Sequence, residues 1–171
     1  VNERIGLVTI GGNPVTLLGN EVKVGDAAPD FTAVGNDMNS VRLSQFKGKV
    51  VVISSVHSLD TAVCNVETRR FNTEAAKLGP DVVILTVSMD LPFAQKRWCG
   101  AAGIDRVITV SDHRDASFGI GYGVLIKDLR LLARAVFVVD RQGIIRYIQL
   151  VKETGTEPDY APVLKAAKDI Q

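Results

Sequence analysis

The sequence predicts an α/β fold, a mixed central sheet flanked by helices, and three observations predict it. Val50-Val51-Val52-Ile53, Val82–Val87 and Ala135–Val139 are runs dominated by β-branched and apolar residues, the pattern of strands buried on both faces of a sheet. Helical periodicity fills the stretches between them, and alternating strands and helices build layered α/β folds. The turn Asp140-Arg141-Gln142-Gly143 joins the third run to Ile144–Leu150 as an antiparallel pair, which makes the sheet mixed.

Taken in order, Leu7–Ile10 and Val15–Leu18 are short β-type runs separated by Gly11-Gly12-Asn13-Pro14, a strong turn signal. They predict an N-terminal hairpin within residues 1–20. An irregular connector over Val24–Asp30 leads to two minor strands, Phe31–Val34 and Val41–Leu43. After the first buried run, Val63, Val66, Phe71, Ala75 and Leu78 mark one face of a helix that stops at Gly79-Pro80. Pro92–Ala102 is a second helix, with proline in its first turn and Gly103 at its end. Val107–Val110 is a weaker strand, and Ala161–Ile170 a closing helix. No repeat, low-complexity tract or linker interrupts residues 1–171, so one domain is expected, with the hairpin as its extension.

Composition narrows the function classes. The 171 residues are 46% hydrophobic, enough for a sizeable core. Twenty Lys and Arg against 19 Asp and Glu leave a formal net charge of +1, which argues against nucleic acid or an anionic membrane surface as partner. No apolar run approaches the roughly 18 residues of a membrane span. The N-terminus VNERIGLVTIGGNP lacks the basic-then-apolar pattern of a secretory signal, and two cysteines are too few for a disulfide scaffold. A cytoplasmic location is expected.

The most informative segment is Ser54–Cys64. A buried strand ends, a polar turn follows, and a cysteine opens a helix. With Asp60 or Thr61 as N-cap, Cys64 falls in the first turn, where free N–H groups and the helix dipole favour a thiolate, the nucleophilic form. The other reading is a small buried hydrophobe, common for free cysteines. Cys99 follows Gln95-Lys96-Arg97-Trp98 on the second helix, and sequence separation alone leaves both a disulfide role and an inert thiol open. Other chemistries fit poorly. His57, Cys64, Cys99 and His113 have the composition of a zinc site without its spacing. His57, Ser58 and Asp60 crowd one turn with no GxSxG elbow. Gly119-Ile120-Gly121-Tyr122-Gly123 is GxGxG rather than a dinucleotide fingerprint and reads as a loop beside Tyr122, while Gly11–Pro14 has no P-loop lysine.

At Ser58-Leu59-Asp60-Thr61-Ala62-Val63-Cys64 the chain resembles the thiol peroxidases, an atypical two-cysteine branch of the peroxiredoxins. The resemblance extends through the hairpin, Arg69–Asn72, Ser88–Gly100, Tyr122–Val124, Leu132–Val138 and Glu157–Tyr160, nearly the whole chain. It implies a thioredoxin-like fold and a peroxidase cycle without metal or organic cofactor. Cys64 matches the peroxidatic cysteine, which becomes a sulfenic acid, and Cys99 the resolving cysteine of the same chain. Thr61 matches the family's catalytic threonine and Arg134 its catalytic arginine, which holds the thiolate and the peroxide oxygens. Without the family, Arg134 reads as an ordinary strand-end cation. Thioredoxin as reductant, a homodimer, and alkyl hydroperoxides beside hydrogen peroxide as substrates are implied likewise.

Two departures stand out. The family's Pro-x-x-x-Thr-x-x-Cys pattern has proline where this chain has His57. Histidine either loosens the loop and hydrates the sulfur or, protonated, favours the thiolate; the dependence of peroxide activation on a preorganised pocket favours the first. A peroxidase of reduced efficiency is therefore expected, and its rival is a redox sensor or scaffold that oxidises but turns over poorly. In Glu153-Thr154-Gly155-Thr156, the family more often has an apolar residue and then threonine at 154 and 155, and Gly155 adds backbone freedom.

Overall fold

Val50–Ser55 (β5) lies inside a seven-stranded sheet, and all six of its residues are buried. The computed structural model describes residues 1–171. Four earlier strands, Glu3–Ile10 (β1), Asn13–Leu18 (β2), Thr32–Gly35 (β3) and Ser40–Arg42 (β4), precede β5, with a 3-10 turn over Leu43–Phe46. Beyond it come Ala62–Leu78 (α1), Val82–Ser88 (β6), Pro92–Ala102 (α2), Ile108–Ser111 (β7) and Ser117–Gly121 (α3). Leu125–Ile126 (β8), Leu131–Leu132 (β9), Ala135–Val139 (β10), Ile145–Leu150 (β11) and Tyr160–Asp169 (α4) complete the chain.

The large sheet has the order β11-β10-β5-β6-β7-β3-β4. β5, β6 and β7 run parallel through the α1 and α2 crossovers, whereas β10 and β11 add antiparallel, so the sheet is mixed as expected. Side-chain alternation divides the core between its faces. Val51, Ile53, Ala135, Phe137 and Val139 feed one cluster, where Phe31, Phe118, Tyr122 and Phe137 meet with centroids 4.6–6.1 Å apart. Val50, Val52, Val136 and Val138 point the other way, onto Phe71 and Leu78 of α1 and Val163 and Ala167 of α4. A strand that feeds two cores has no polar face to show, which is why these runs read as continuous.

The hairpin is present and longer than its apolar runs suggested. Gly11 and Gly12, with φ of 57° and 82°, make the turn, and both need the left-handed conformations that glycine accepts. β1 and β2 join β8 and β9 in a second, four-stranded sheet, β1-β2-β8-β9. That sheet was not anticipated, because two-residue strands carry no periodicity. The expected loop over Gly119–Gly123 is corrected: Ser117–Gly121 is a short helix, held by Asp112 carboxylate oxygens that accept from the Phe118 and Gly119 amides. No helix is long and apolar enough to cross a membrane.

Candidate active site

The site forms where β5 and β6 end side by side. The Val56 amide donates to the Val87 carbonyl, and past that point the chain leaves the sheet for the turn His57–Thr61. Asp90, just beyond β6, pins this turn: its carboxylate accepts from Ser58 Oγ at 2.7 Å, the Leu59 amide at 2.9 Å and Ser88 Oγ at 2.7 Å. Thr61 is the N-cap of α1 by backbone geometry, but its hydroxyl makes no cap and instead donates to the Ser58 carbonyl at 2.8 Å. The capping hydrogen bond expected from Asp60 or Thr61 is therefore absent; the hydroxyl serves the turn. Cys64 sits at the third helical position, fully buried against Val56, Leu59 and Trp98.

Arg134 precedes β10 and is 1% exposed, so it is no strand-end surface cation. A buried guanidinium needs a countercharge and acceptors. Glu67, one turn beyond Cys64 on α1 and 0% exposed, provides the charge at 2.5 Å from Nη1. The Thr154 carbonyl accepts from Nε at 3.0 Å and Nη2 at 2.9 Å, and Ser54 Oγ donates to the other Glu67 oxygen at 2.9 Å. Burial disfavours the Arg134 charge, but the neighbouring Glu67 and Cys64 outweigh it and hold the proton more tightly than usual. Burial pushes the Glu67 carboxyl up, while Arg134 and Ser54 act against it. The planar fork of the guanidinium is thus fixed on two sides, with Cys64 beside it.

A cavity of about 320 Å³ opens at this point, lined by His57, Thr61, Val63 and Arg134 on one side and by Ile10, Gly11, Glu153, Thr154 and Gly155 on the other. His57 is half-buried, and its Nδ1 is shielded from water without a hydrogen-bond partner. Burial lowers its pKa below 6.5, the Leu132 carbonyl opposing and the Arg134 charge reinforcing that effect. Its backbone N–H makes no hydrogen bond within the protein.

Cys99 lies apart. Its sulfur is 3.4 Å from Thr109 Oγ1 on β7, and that hydroxyl donates to Asn36 Oδ1 at 3.0 Å. Both cysteines are free thiols. Trp98 packs on the Cys64 cluster, and consecutive helical residues project about 100° apart, so Cys99 turns away while its neighbour turns in. Gln95 anchors the first half of α2, donating to Ser88 Oγ at 2.9 Å and the Val110 carbonyl at 2.8 Å. Arg69 of α1 holds the second half, with its guanidinium 5.8 Å from the Trp98 ring centre and Nη1 donating to the Ala102 carbonyl.

Of the residues singled out in the sequence, the structure gathers His57, Thr61 and Arg134 at one pocket, keeps Cys64 fully buried beside Arg134, and leaves Cys99 at a separate cavity against Thr109. No three His, Cys, Asp or Glu side chains form a metal-ligating group. Sequence reasoning missed Glu67, Asp90 and the Thr154 carbonyl. Glu67 left a signal, a carboxylate three residues after the cysteine on the apolar side of α1; the Thr154 carbonyl left none, since any residue supplies one.

The redoxin family model matches residues 23–164. A thiol peroxidase of Oceanobacillus iheyensis is 61% identical over 157 residues, 92% of this chain and 95% of that protein. A thiol peroxidase of Bacillus subtilis is 58% identical over 161 residues, 94% and 96% of the two chains. Among solved structures, a peroxiredoxin-like protein from Aquifex aeolicus superposes over 100% of both chains with a TM-score of 0.92 and 42% identity. A buried cysteine at the head of α1, on a thioredoxin-like sheet and within sequences this similar, has one family assignment: the chain belongs to the redoxin family and, within it, to the thiol peroxidases.

Proposed function

We propose that this thiol peroxidase is a thioredoxin-dependent hydroperoxide reductase, working in the cytoplasm as a homodimer without metal or organic cofactor. The observation that carries the reading is the buried Cys64 beside an arginine whose guanidinium is held by Glu67 and Thr154. The Cys64 thiolate attacks the terminal oxygen of the peroxide. An S–O bond forms, the O–O bond breaks, and the leaving alkoxide takes a proton to become the alcohol. Arg134 stabilises the negative charge as it moves from sulfur to the leaving oxygen, and Thr61 hydrogen-bonds the peroxide at the mouth of the site. A cavity of about 320 Å³ accommodates hydrogen peroxide and small alkyl hydroperoxides.

Cys99 then attacks the sulfenic acid, forming the S–S bond as the S–O bond breaks and water leaves. Because Cys64 is buried with Trp98 while Cys99 contacts Thr109 instead, this step requires the second half of α2 to rearrange about the Gln95 anchor. A thioredoxin dithiol restores both thiols by disulfide exchange.

Reduced protein mixed with one equivalent of an alkyl hydroperoxide, followed by intact mass beside Cys64→Ser and Cys99→Ser, tests the reading. The wild type is expected to lose two hydrogens, Cys64→Ser to stay unchanged, and Cys99→Ser to gain one oxygen. Persistence of the reduced wild-type mass overturns the peroxidase reading. Oxidation without steady turnover on thioredoxin favours the sensor instead, for which the partnerless His57 Nδ1 in the pocket is the one structural support.

A further inference from the structure

The far wall of the pocket is part of neither α1, which carries Cys64, nor the seven-stranded sheet beneath it. It is the tip of the N-terminal hairpin, docked on the segment after β11. Thr9 and Glu153 bridge as parallel neighbours: the Thr9 amide donates to the Lys152 carbonyl at 2.7 Å, and the Thr154 amide to the Thr9 carbonyl at 2.9 Å. The Glu153 carboxylate completes the joint. It accepts from the Gly12 amide at 2.7 Å, the Gly11 amide at 3.3 Å, Thr9 Oγ1 at 3.0 Å and the Gly155 amide at 3.0 Å. Two glycine amides in left-handed conformations point at one carboxylate, an arrangement that suits an anion. These bonds favour the ionised form strongly enough to lower the Glu153 pKa to about 2.

What Glu153 holds matters to the reaction. The next residue gives its carbonyl to both Nε and Nη2 of Arg134, and Ile10 and Gly11 from the hairpin face the pocket. We propose that Glu153 is a positioning residue for peroxide activation, and that the hairpin tip it clamps is the wall limiting the size of the peroxide. This rests on the assignment of Cys64 and Arg134 above. Glu153 borders the cavity but engages its carboxylate with Thr9, Gly11, Gly12 and Gly155 rather than with Arg134 or Cys64; it acts through the Thr154 carbonyl on the angle of the guanidinium, and through Gly11 and Gly12 on the breadth of the cavity. The freedom of Gly155, next to a carbonyl that must stay in place, is restrained by the hydrogen bond its N–H donates to the Glu153 carboxylate.

The two actions separate experimentally. Stopped-flow oxidation of the reduced protein by hydrogen peroxide and by cumene hydroperoxide is measured for wild type, Glu153→Ala, Glu153→Gln and Thr9→Val. Glu153→Ala is expected to slow hydrogen peroxide about tenfold, because the arginine is misplaced by a fraction of an ångström. Cumene hydroperoxide should lose less, since the wall opens for its ring, so the ratio of the two rates shifts at least threefold towards the bulky substrate. Glu153→Gln, which keeps an acceptor, should recover most of the rate. Thr9→Val, which loses one of four bonds and disturbs the fold least, should shift the ratio in the same direction by a smaller amount. The KM for thioredoxin should stay unchanged throughout. Equal loss on both peroxides, or no loss, overturns the proposal while leaving the peroxidase reading intact. A wild type that neither peroxide oxidises overturns that reading itself.

Discussion

Arg134 and Glu67 form an ion pair at 2.5 Å with side chains 1% and 0% exposed. Two charges so deeply buried are expensive to desolvate, and the pair persists because each has further hydrogen bonds, from Ser54 to Glu67 and from Arg134 to Thr154. Removing one partner leaves the other charge uncompensated. Glu67→Gln is expected to lower stability by about 3 kcal/mol, the low end for breaking a buried pair, since the amide still accepts one bond. The same change frees the guanidinium to turn, and peroxide oxidation should slow by roughly 10- to 100-fold. Urea denaturation and stopped-flow oxidation report the two effects separately. A variant of wild-type reactivity would show that Thr154 alone orients Arg134.

Cys99 and Thr109 make the second prediction. Their 3.4 Å contact ties the Cys99 thiol to β7, and Thr109 is itself fixed by Asn36. Thr109→Val keeps the shape and removes the hydroxyl. One neutral hydrogen bond is worth about fivefold in an equilibrium. Disulfide formation after Cys64 oxidation is therefore expected to accelerate by about that factor, with the first oxidation step unchanged. Trp98, which must leave the Cys64 cluster as the helix rearranges, gives a fluorescence signal for the step. An unchanged rate would place the barrier elsewhere, with Arg69 on Trp98 and Ala102 as the next contact to remove.

Legibility differed sharply between these residues. β5, β6 and β10 could be read because strands buried on both faces leave unbroken apolar runs, and α1 and α2 because each ends at a glycine, Gly79 or Gly103. Cys64 announced itself by standing at a strand-to-helix junction. Arg134 did not: one arginine before a strand looks the same in sequence whether it faces water or Glu67, and only the resemblance to a family distinguished it. β8 and β9 were invisible, since their two residues each are recruited by the hairpin rather than formed by local preference. The Glu153 joint combines a turn and a loop about 140 positions apart, a relationship that no single-sequence pattern encodes.

The third prediction concerns the layer beneath the site. Phe71 is fully buried between α1 and the sheet, edge-on to Tyr160 of α4 with centroids 5.4 Å apart. Phe71→Ala removes a ring that both helices share, and a loss of about 3–5 kcal/mol is expected. Cys64 lies two turns earlier on the same helix, so a partly folded variant should lose peroxide reactivity together with stability. If thermal unfolding moves by only a degree or two, the α1–α4 layer contributes less than its burial implies.

His57 makes the last prediction, because rate and stability should change with different pH dependence. Its amide makes no hydrogen bond, so proline removes no backbone interaction, and the imidazole Nδ1 has none to lose. His57→Pro should rigidify the turn that carries Thr61 and raise the rate of Cys64 oxidation by roughly three- to tenfold, well inside the hundredfold cost of an ångström of misplacement. Proline should also stabilise the fold at every pH by about 0.4–1 kcal/mol through the unfolded chain. A further effect depends on pH. Burial, first, and the Arg134 charge, with the Leu132 carbonyl and Asp90 acting against them, depress the folded-state pKa of His57 below its usual 6.5. A depressed pKa means that the unfolded chain binds the proton more readily, so stability present above pH 6.5 is lost as pH falls through the folded value. His57→Pro abolishes that loss. The gain in melting temperature should therefore be small and constant above pH 7 and widen towards pH 5. A gain independent of pH would mean that the imidazole titrates as it does in water; an unchanged oxidation rate would mean that histidine holds this turn as firmly as proline.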